Sequence, residues 1–218
     1  MTYPSWASLY EGPTDEAYFE VLIPRLMEDL VARFGTRNVH IPLNAAIRLG
    51  KNGRGVAEVA EEACAERDAF YILFIHADTG GRGLEAGVAG RSVAFCEAAH
   101  ALCDFPPDRC VVVTPRHETE AWMLADPEAV GGALGYRGNL TELGLPSDAP
   151  AAERLPDPKA VLKEAISQVR GRRSSPHIGQ LIPAIAQRQS IAALQRSASF
   201  RAFEDRFAVA LRSLGCVA

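Results

Sequence analysis

The stretch 69–75 (AFYILFI) is an unbroken apolar run, and it limits the fold more than any other feature of this sequence. A strand without polar alternation is buried on both faces, so the sheet that contains it must be covered on both sides. The neighbouring segments meet that demand. Residues 6–10 form a short apolar run that stops at Glu11-Gly12-Pro13 and read as a first strand. Pro13 suits the first turn of a helix, where its missing N–H is no loss. Apolar residues then recur at Phe19, Ile23, Leu26, Leu30 and Phe34 with a helical period that ends at Gly35, and Pro24 predicts a kink or a restart. Residues 38–43 (NVHIPL) read as a second, weaker strand and 110–114 (CVVVT) as a fourth. Helices are expected over 56–66, over 87–103 and from 118 to 125 (ETEAWMLA). Strands alternating with helices imply right-handed crossovers, a mainly parallel sheet with flanking helices, and the α/β class.

A stretch rich in Pro, Ala and Asp at 139–157 reads as a linker, and helical segments at 159–169, 178–187 and 200–214 follow it. This divides the chain into an α/β domain, residues 1–135, and a mostly helical carboxyl-terminal segment, residues 136–218, packed on it. With 218 residues, 48% hydrophobic and 23% charged, the chain can build a real core, which excludes disorder and fibrous repeats. No apolar run approaches the roughly 18 residues of a membrane helix. The opening MTYPSWASLYEG lacks a basic and an apolar leader region, so a cytoplasmic protein is expected. Cys64, Cys96, Cys103, Cys110 and Cys216 are odd in number and scattered, with no CxxC pair; reduced thiols are expected and zinc is not. The net charge of −4 conceals an asymmetry, because residues 1–149 carry 12 Lys and Arg against 22 Asp and Glu, whereas residues 150–218 carry 11 against 5. An acidic body suits a cation and a basic tail a phosphate-bearing partner, unless the two surfaces dock on each other.

Ligands of an open parallel sheet bind beyond the carboxyl ends of its strands. Glu11 and Asp15 follow the first predicted strand, His76 and Asp78 the third, and Arg116, His117, Glu118 and Glu120 the fourth. If these strands are neighbours, the carboxylates converge. Crowded like charges call for a cation, and Mg²⁺ is the natural one for oxygen ligands. Each acid also has a structural explanation: Asp15 as a first-turn helix acid, Asp78 as a turn residue bonding its own backbone, one of Glu118 and Glu120 as a helix-start acid. Alternate positions do not share a helix face, so Glu118 and Glu120 can both point inward only if the helix begins between them.

The pieces EGPTDEAYF, HADTGG, PRHETEAWMLAD, LPDPKAVL and SASFRAFEDRF together resemble the TOPRIM fold of topoisomerases, primases and OLD-family nucleases. More closely they resemble a group of small bacterial TOPRIM-like proteins of unassigned function, often encoded beside an ATPase in phage-defence loci. The resemblance implies that Glu11 is the TOPRIM glutamate, a general acid or base or a metal ligand, and that Asp15 is the second acid of the OLD-type pair. It aligns the D-x-D element with His76-Ala77-Asp78, where His76 replaces the first Asp and suits Mn²⁺ better than Mg²⁺. Glu118 and Glu120 could supply the missing carboxylate. Lys159 aligns with a basic residue that neutralises phosphate.

Lys51 and Arg54, in the glycine-rich loop 49–55, together with Arg82 and Arg116, are candidates to track a nucleic-acid backbone; a solvated mobile loop is the alternative. GKNGRG lacks the order of a P-loop, so ATP hydrolysis is not expected of this chain. The run RGRRSS (170–175) is a further candidate for a phosphate-bearing partner or a solvated turn. Asp78-Thr79-Gly80 after an apolar run matches the aspartic-protease pattern, but that fold is mostly β and needs two chains. The leading expectation is a Mg²⁺- or Mn²⁺-dependent phosphodiesterase acting on DNA or RNA. Glu11, Asp15, Asp78 and one of Glu118 or Glu120 would hold metal, and His76 would ligate or orient water. The alternatives are a non-catalytic regulatory subunit of an ATPase-containing complex and a phosphoryl-transfer enzyme for small molecules. A homodimer is left open.

Overall fold

The computed structural model describes residues 2–50, 55–78, 92–171 and 178–218. Four strands, β1 (Trp6–Leu9), β2 (Ile47–Leu49), β3 (Ile72–His76) and β4 (Cys110–Val113), form one sheet in the order β2-β1-β3-β4, with every pairing parallel. The helices are α1 (Pro13–Phe34), α2 (Val56–Ala65), α3 (Ala94–Cys103), α4 (Thr119–Met123), α5 (Pro127–Leu134), α6 (Ala149–Ala152), α7 (Pro158–Arg170), α8 (Ile178–Arg188), α9 (Ile191–Leu194) and α10 (Ala198–Ser213). The α/β class and the parallel sheet are therefore as expected. After β1 the chain crosses to β2 on one side, then returns to place β3 on the other. The switch point lies between β1 and β3, where open α/β sheets keep their ligand crevice.

Alternation along the strands sends side chains to two different cores. Trp6, Ile72, Phe74, Val111 and Val113 enter the larger core with α1, α4, α8 and α10. Ala7, Leu9, Leu73 and Ile75 enter a smaller one with Val59 and Ala63 of α2 and Ala99 of α3. All five residues of β3 are buried, the reason its sequence shows no polar alternation. In the larger core Phe207 meets Phe74 edge-on at 4.9 Å, and Trp122 stacks on Phe203 at 5.5 Å. The first turn of α10 is held by Glu153, whose Oε1 accepts from Ser197 Oγ at 2.6 Å and Ser199 N at 2.9 Å. Burial alone would raise this carboxyl, but the Ser197 and Ser199 donors hold it below its ordinary value.

Several local expectations are corrected. α1 does not restart at Pro24 but runs on to Phe34 as one helix, because buried residues on both sides of it (Leu22, Ile23, Leu26, Met27) pack one continuous stripe that outweighs the roughly 3 kcal/mol proline cost. Gly35 ends α1 as predicted, but at an ordinary φ of −59°; a Cβ there would press on the Val31 carbonyl oxygen. Residues 38–43 are not a strand and contribute one isolated bridge, Thr2 to Val39; the second strand is Ile47–Leu49. The stretch 139–157 contains a 3₁₀ turn at Leu140–Leu143 and α6, with Leu143, Ala149 and Ala152 buried, so it packs rather than links. The cysteines are not all free thiols: Cys64 is bonded to Cys103 and Cys96 to Cys110, while Cys216 is free and buried. Their scatter in sequence hides the fact that α3 lies between α2 and the start of β4. Of the expected helix 87–103, residues 87–91 lie outside the described residues, as do 172–175 of the basic run. Among the described residues, no helix is long and apolar enough to cross a membrane.

Because Phe207 of α10 packs directly on β3, Phe207→Ala should destabilise sheet and helices together. We expect a loss of about 3–5 kcal/mol with a single urea transition; two separate transitions would show that the carboxyl-terminal helices fold on their own.

Candidate functional site

The carboxyl ends of β1, β3 and β4 bring the predicted acids to one place. Gly12 caps α1 with extended backbone, Pro13 occupies the first helical position, and Asp15 falls in the first turn. Asp15 takes both of its expected roles. It accepts from the Gly12 backbone, as a first-turn acid does, and its Oδ1 accepts from the Thr119 hydroxyl at 2.7 Å. His76 ends β3 on the same face as Ile72 and Phe74, which turns it toward α1. There its ring lies 4.8 Å from that of Phe19.

The protons around His76 can be assigned. Its Nδ1 is 3.0 Å from the carbonyl oxygen of Val113, which can only accept. Its Nε2 is 3.2 Å from Thr119 Oγ1 and 3.5 Å from both Asp15 Oδ1 and Asp78 Oδ1. The single Thr119 proton goes to Asp15, which leaves the Thr119 oxygen to accept from Nε2 when the ring carries its second proton. Burial opposes that charge, but the hydrogen bond and charge of Asp15, then the charge of Asp78, raise the pKa above its ordinary value. Asp15 moves the other way: burial would raise it, and His76 and Thr119 bring it below the usual carboxylate range. Asp78 is pushed up to about 7, by burial first and then by Asp15, Glu11 and Glu120, against the pull of His76.

Glu118 and Glu120 meet the condition set by their spacing. α4 begins at Thr119, between them, and Glu118 is its extended N-cap. The turn that leads there is strained. His117 has φ 67° and the Glu118 N–H bonds the Arg116 carbonyl at 3.0 Å, a γ-turn of the rare positive-φ kind, worth about 1–3 kcal/mol of strain. Glu118 Oε2 is buried with no hydrogen-bond partner in the structure described. Glu120 is buried and raised above its ordinary value, by burial first, with Glu118 and Asp15 adding to it. Lys159 Nζ lies 3.6 Å from Glu120 Oε1, and Glu120, then Glu118 and Asp15, raise its own pKa. Glu11 follows β1 close enough for its charge to act on Asp78.

The structure thus brings together Glu11, Asp15, His76, Asp78, Glu118, Glu120 and Lys159. Arg116 is exposed in the turn after β4. Lys51, Arg54 and Arg82 lie outside the described residues. Thr119 was not among the expected site residues. Its signal was available: a hydroxyl between two acids at a strand-to-helix turn, where the first helical residue faces inward. The donor chemistry would fit a hard divalent cation, since the candidate donors are carboxylates and one buried oxygen, Glu118 Oε2, lacks a hydrogen bond. Among the described residues, however, no three His, Cys, Asp or Glu side chains already meet as a metal cage. No family model matches the chain, and neither a curated protein nor a solved structure matches it.

Two outcomes follow from this geometry. Asp78 and His76 both hold protons more tightly when folded, so stability in a chelating buffer should fall as pH rises through 7; the Asp15 contribution is instead lost in acid, below about pH 4. Asp78→Asn should flatten the fall and raise stability near pH 8 by about 1 kcal/mol or more, measured by urea unfolding; a wild type that gains stability from about pH 5 to about pH 8 would contradict this. Thr119→Val leaves Asp15 and His76 short of a partner and should cost about 1–3 kcal/mol, with Thr119→Ser restoring most of it.

Proposed function

We propose that the chain is a metal-dependent phosphodiesterase, a cytoplasmic nuclease of TOPRIM-like build acting on DNA or RNA in phage defence. The carrying observation is the crowding at Asp78, pushed up to about 7 by burial and by the neighbouring carboxylates. Such crowding is relieved by a cation, and oxygen donors suit Mg²⁺ or Mn²⁺. Glu11, Asp78, Glu118 and Glu120 would hold it, with Asp15 fixed beside them by Thr119. When bound, a divalent ion polarises a phosphoryl oxygen and acidifies a water.

The chain's own groups do the remaining work. Lys159, 49% exposed and paired with Glu120, offers an ammonium to the phosphodiester from the rim of the cluster. Arg116, exposed in the turn after β4, is a second candidate cation for the phosphodiester. Glu11, at the end of β1, is placed to take a proton from the attacking water or pass one to the leaving oxygen. His76 holds Asp78 and Asp15 apart at equal distance and keeps both oriented.

A second reading has one observation in its favour. The Nε2 of His76, which the resemblance aligns with the first carboxylate of a D-x-D element, already lies 3.5 Å from both Asp15 and Asp78. That would suit a non-catalytic regulatory subunit of an ATPase-containing complex. Calorimetric titration with Mn²⁺ and Mg²⁺ separates the two. We expect saturable binding by the wild type that disappears in Asp78→Asn, and cleavage of nucleic acid that Glu11→Ala lowers about 100-fold or more. Cleavage undiminished in Glu11→Ala and Asp78→Ala would overturn the phosphodiesterase reading, and absence of metal binding by the wild type would favour the regulatory one.

A further inference from the structure

We propose that helix α3 is under thiol–disulfide control, its docking on the sheet made by the Cys64–Cys103 and Cys96–Cys110 bonds and released when a dithiol reduces them. This inference does not rest on the phosphodiesterase reading. α3 lies along α2 and buries few whole side chains: among its ten residues only Ala99 is fully buried, with Phe95, Cys96 and Cys103 half-buried against the smaller core. The core beneath it is the smaller of the two. A helix of this length is marginal without a well-packed face. The covalent ties compensate at both ends. Cys96, in the first turn, is bonded to Cys110 at the start of β4, and Cys103, the last residue, is bonded to Cys64 near the end of α2. One helix is thus pinned to two different elements, closing chain segments of 39 and 14 residues.

All four bonded cysteines are half-buried, none of them sealed in the core. Cys216 differs on every count. It is wholly buried in the larger core, and burial pushes its thiol above the ordinary value. It serves as an internal control. In a reducing compartment, disulfides are transient and act as signals, whereas in an oxidising one they are permanent staples. Reduction here balances simply. A thiolate of the dithiol attacks one sulfur, its second thiolate resolves the mixed disulfide, and two cysteine thiols and one oxidised dithiol result, two electrons and two protons being transferred for each bond.

The test is hydrogen exchange on the full-length protein, without denaturant, before and after excess dithiothreitol, with peptide mapping of alkylated thiols. Oxidised protein should yield the 64–103 and 96–110 linked peptides, with Cys216 unlabelled. Dithiothreitol should open both bonds in the native state and speed exchange in α3 about tenfold or more, while α1 and α10 keep their protection. The Cys96→Ser/Cys103→Ser double variant should exchange like the reduced protein without any reductant. Failure of either pair to form under oxidising conditions, resistance of the bonds to native reduction, or unchanged protection of α3 after reduction would each overturn the proposal.

Discussion

The five-residue helix α4 cannot hold its own shape, since a single turn of helix gains too few hydrogen bonds to offset the ordering of its backbone. It is fixed by neighbours from both ends of the chain. Trp122 is buried against Phe200 and Phe203, and its Nε1 donates to Ser199 Oγ at 2.8 Å. Gln189, fully buried, donates to the carbonyls of Trp122 and Met123 at the end of the short helix and accepts from Tyr18 of α1. Thr119 closes the other end on Asp15. The positions of Glu118 and Glu120 are therefore set by residues 15 to 203. The carboxyl-terminal helices build the site without contributing most of its acids.

That rigidity explains how one cluster can contain carboxylates of opposite behaviour. Asp15 receives a hydroxyl, a backbone N–H and the imidazolium, so its charge is compensated and it stays ionised. Asp78, two residues beyond β3, receives the same imidazolium but faces Asp15, Glu11 and Glu120. Environments that drive two neighbouring carboxyls in opposite directions are a common mark of a site in which one group holds charge and the other exchanges it. The strained turn at His117 is consistent with this: its cost falls on the loop that carries Glu118 into the cluster.

How much of this was readable in the sequence depends on what each feature rests on. β1, β3 and β4 follow from apolar runs buried on both faces, and the acids after them follow from the rule for parallel sheets. β2 is three residues long with only Leu49 buried, too little for a pattern to form, and NVHIPL looked more apolar. Pro24 causes no restart of α1 because local propensity is overruled by a stripe of tertiary packing. The disulfides and the Thr119 bridge join residues far apart in sequence, 39 residues for Cys64 and Cys103 and 104 for Asp15 and Thr119, and spacing carries no trace of such pairs. Trp122 and Ser199, which lie in the pieces ETEAW and SASF, proved to be partners in one hydrogen bond. Part of what makes those pieces distinctive is core architecture rather than chemistry.

The two faces of the sheet are built by different means, and this divides the molecule's labour. The face toward α1, α4 and α10 is closed by aromatic contacts from Trp6 to Phe207, and His76 stands on it. The face toward α2 and α3 is a smaller cluster of alanines and aliphatics with Phe70 and Phe105 at 5.6 Å, and it is reinforced by covalent bonds. A site that needs fixed distances among charged groups belongs on the densely packed side, where displacement of one ring disturbs many neighbours. β3 and β4 are shared by both faces, so an event at Cys110 is one strand's length from the turn that positions Glu118.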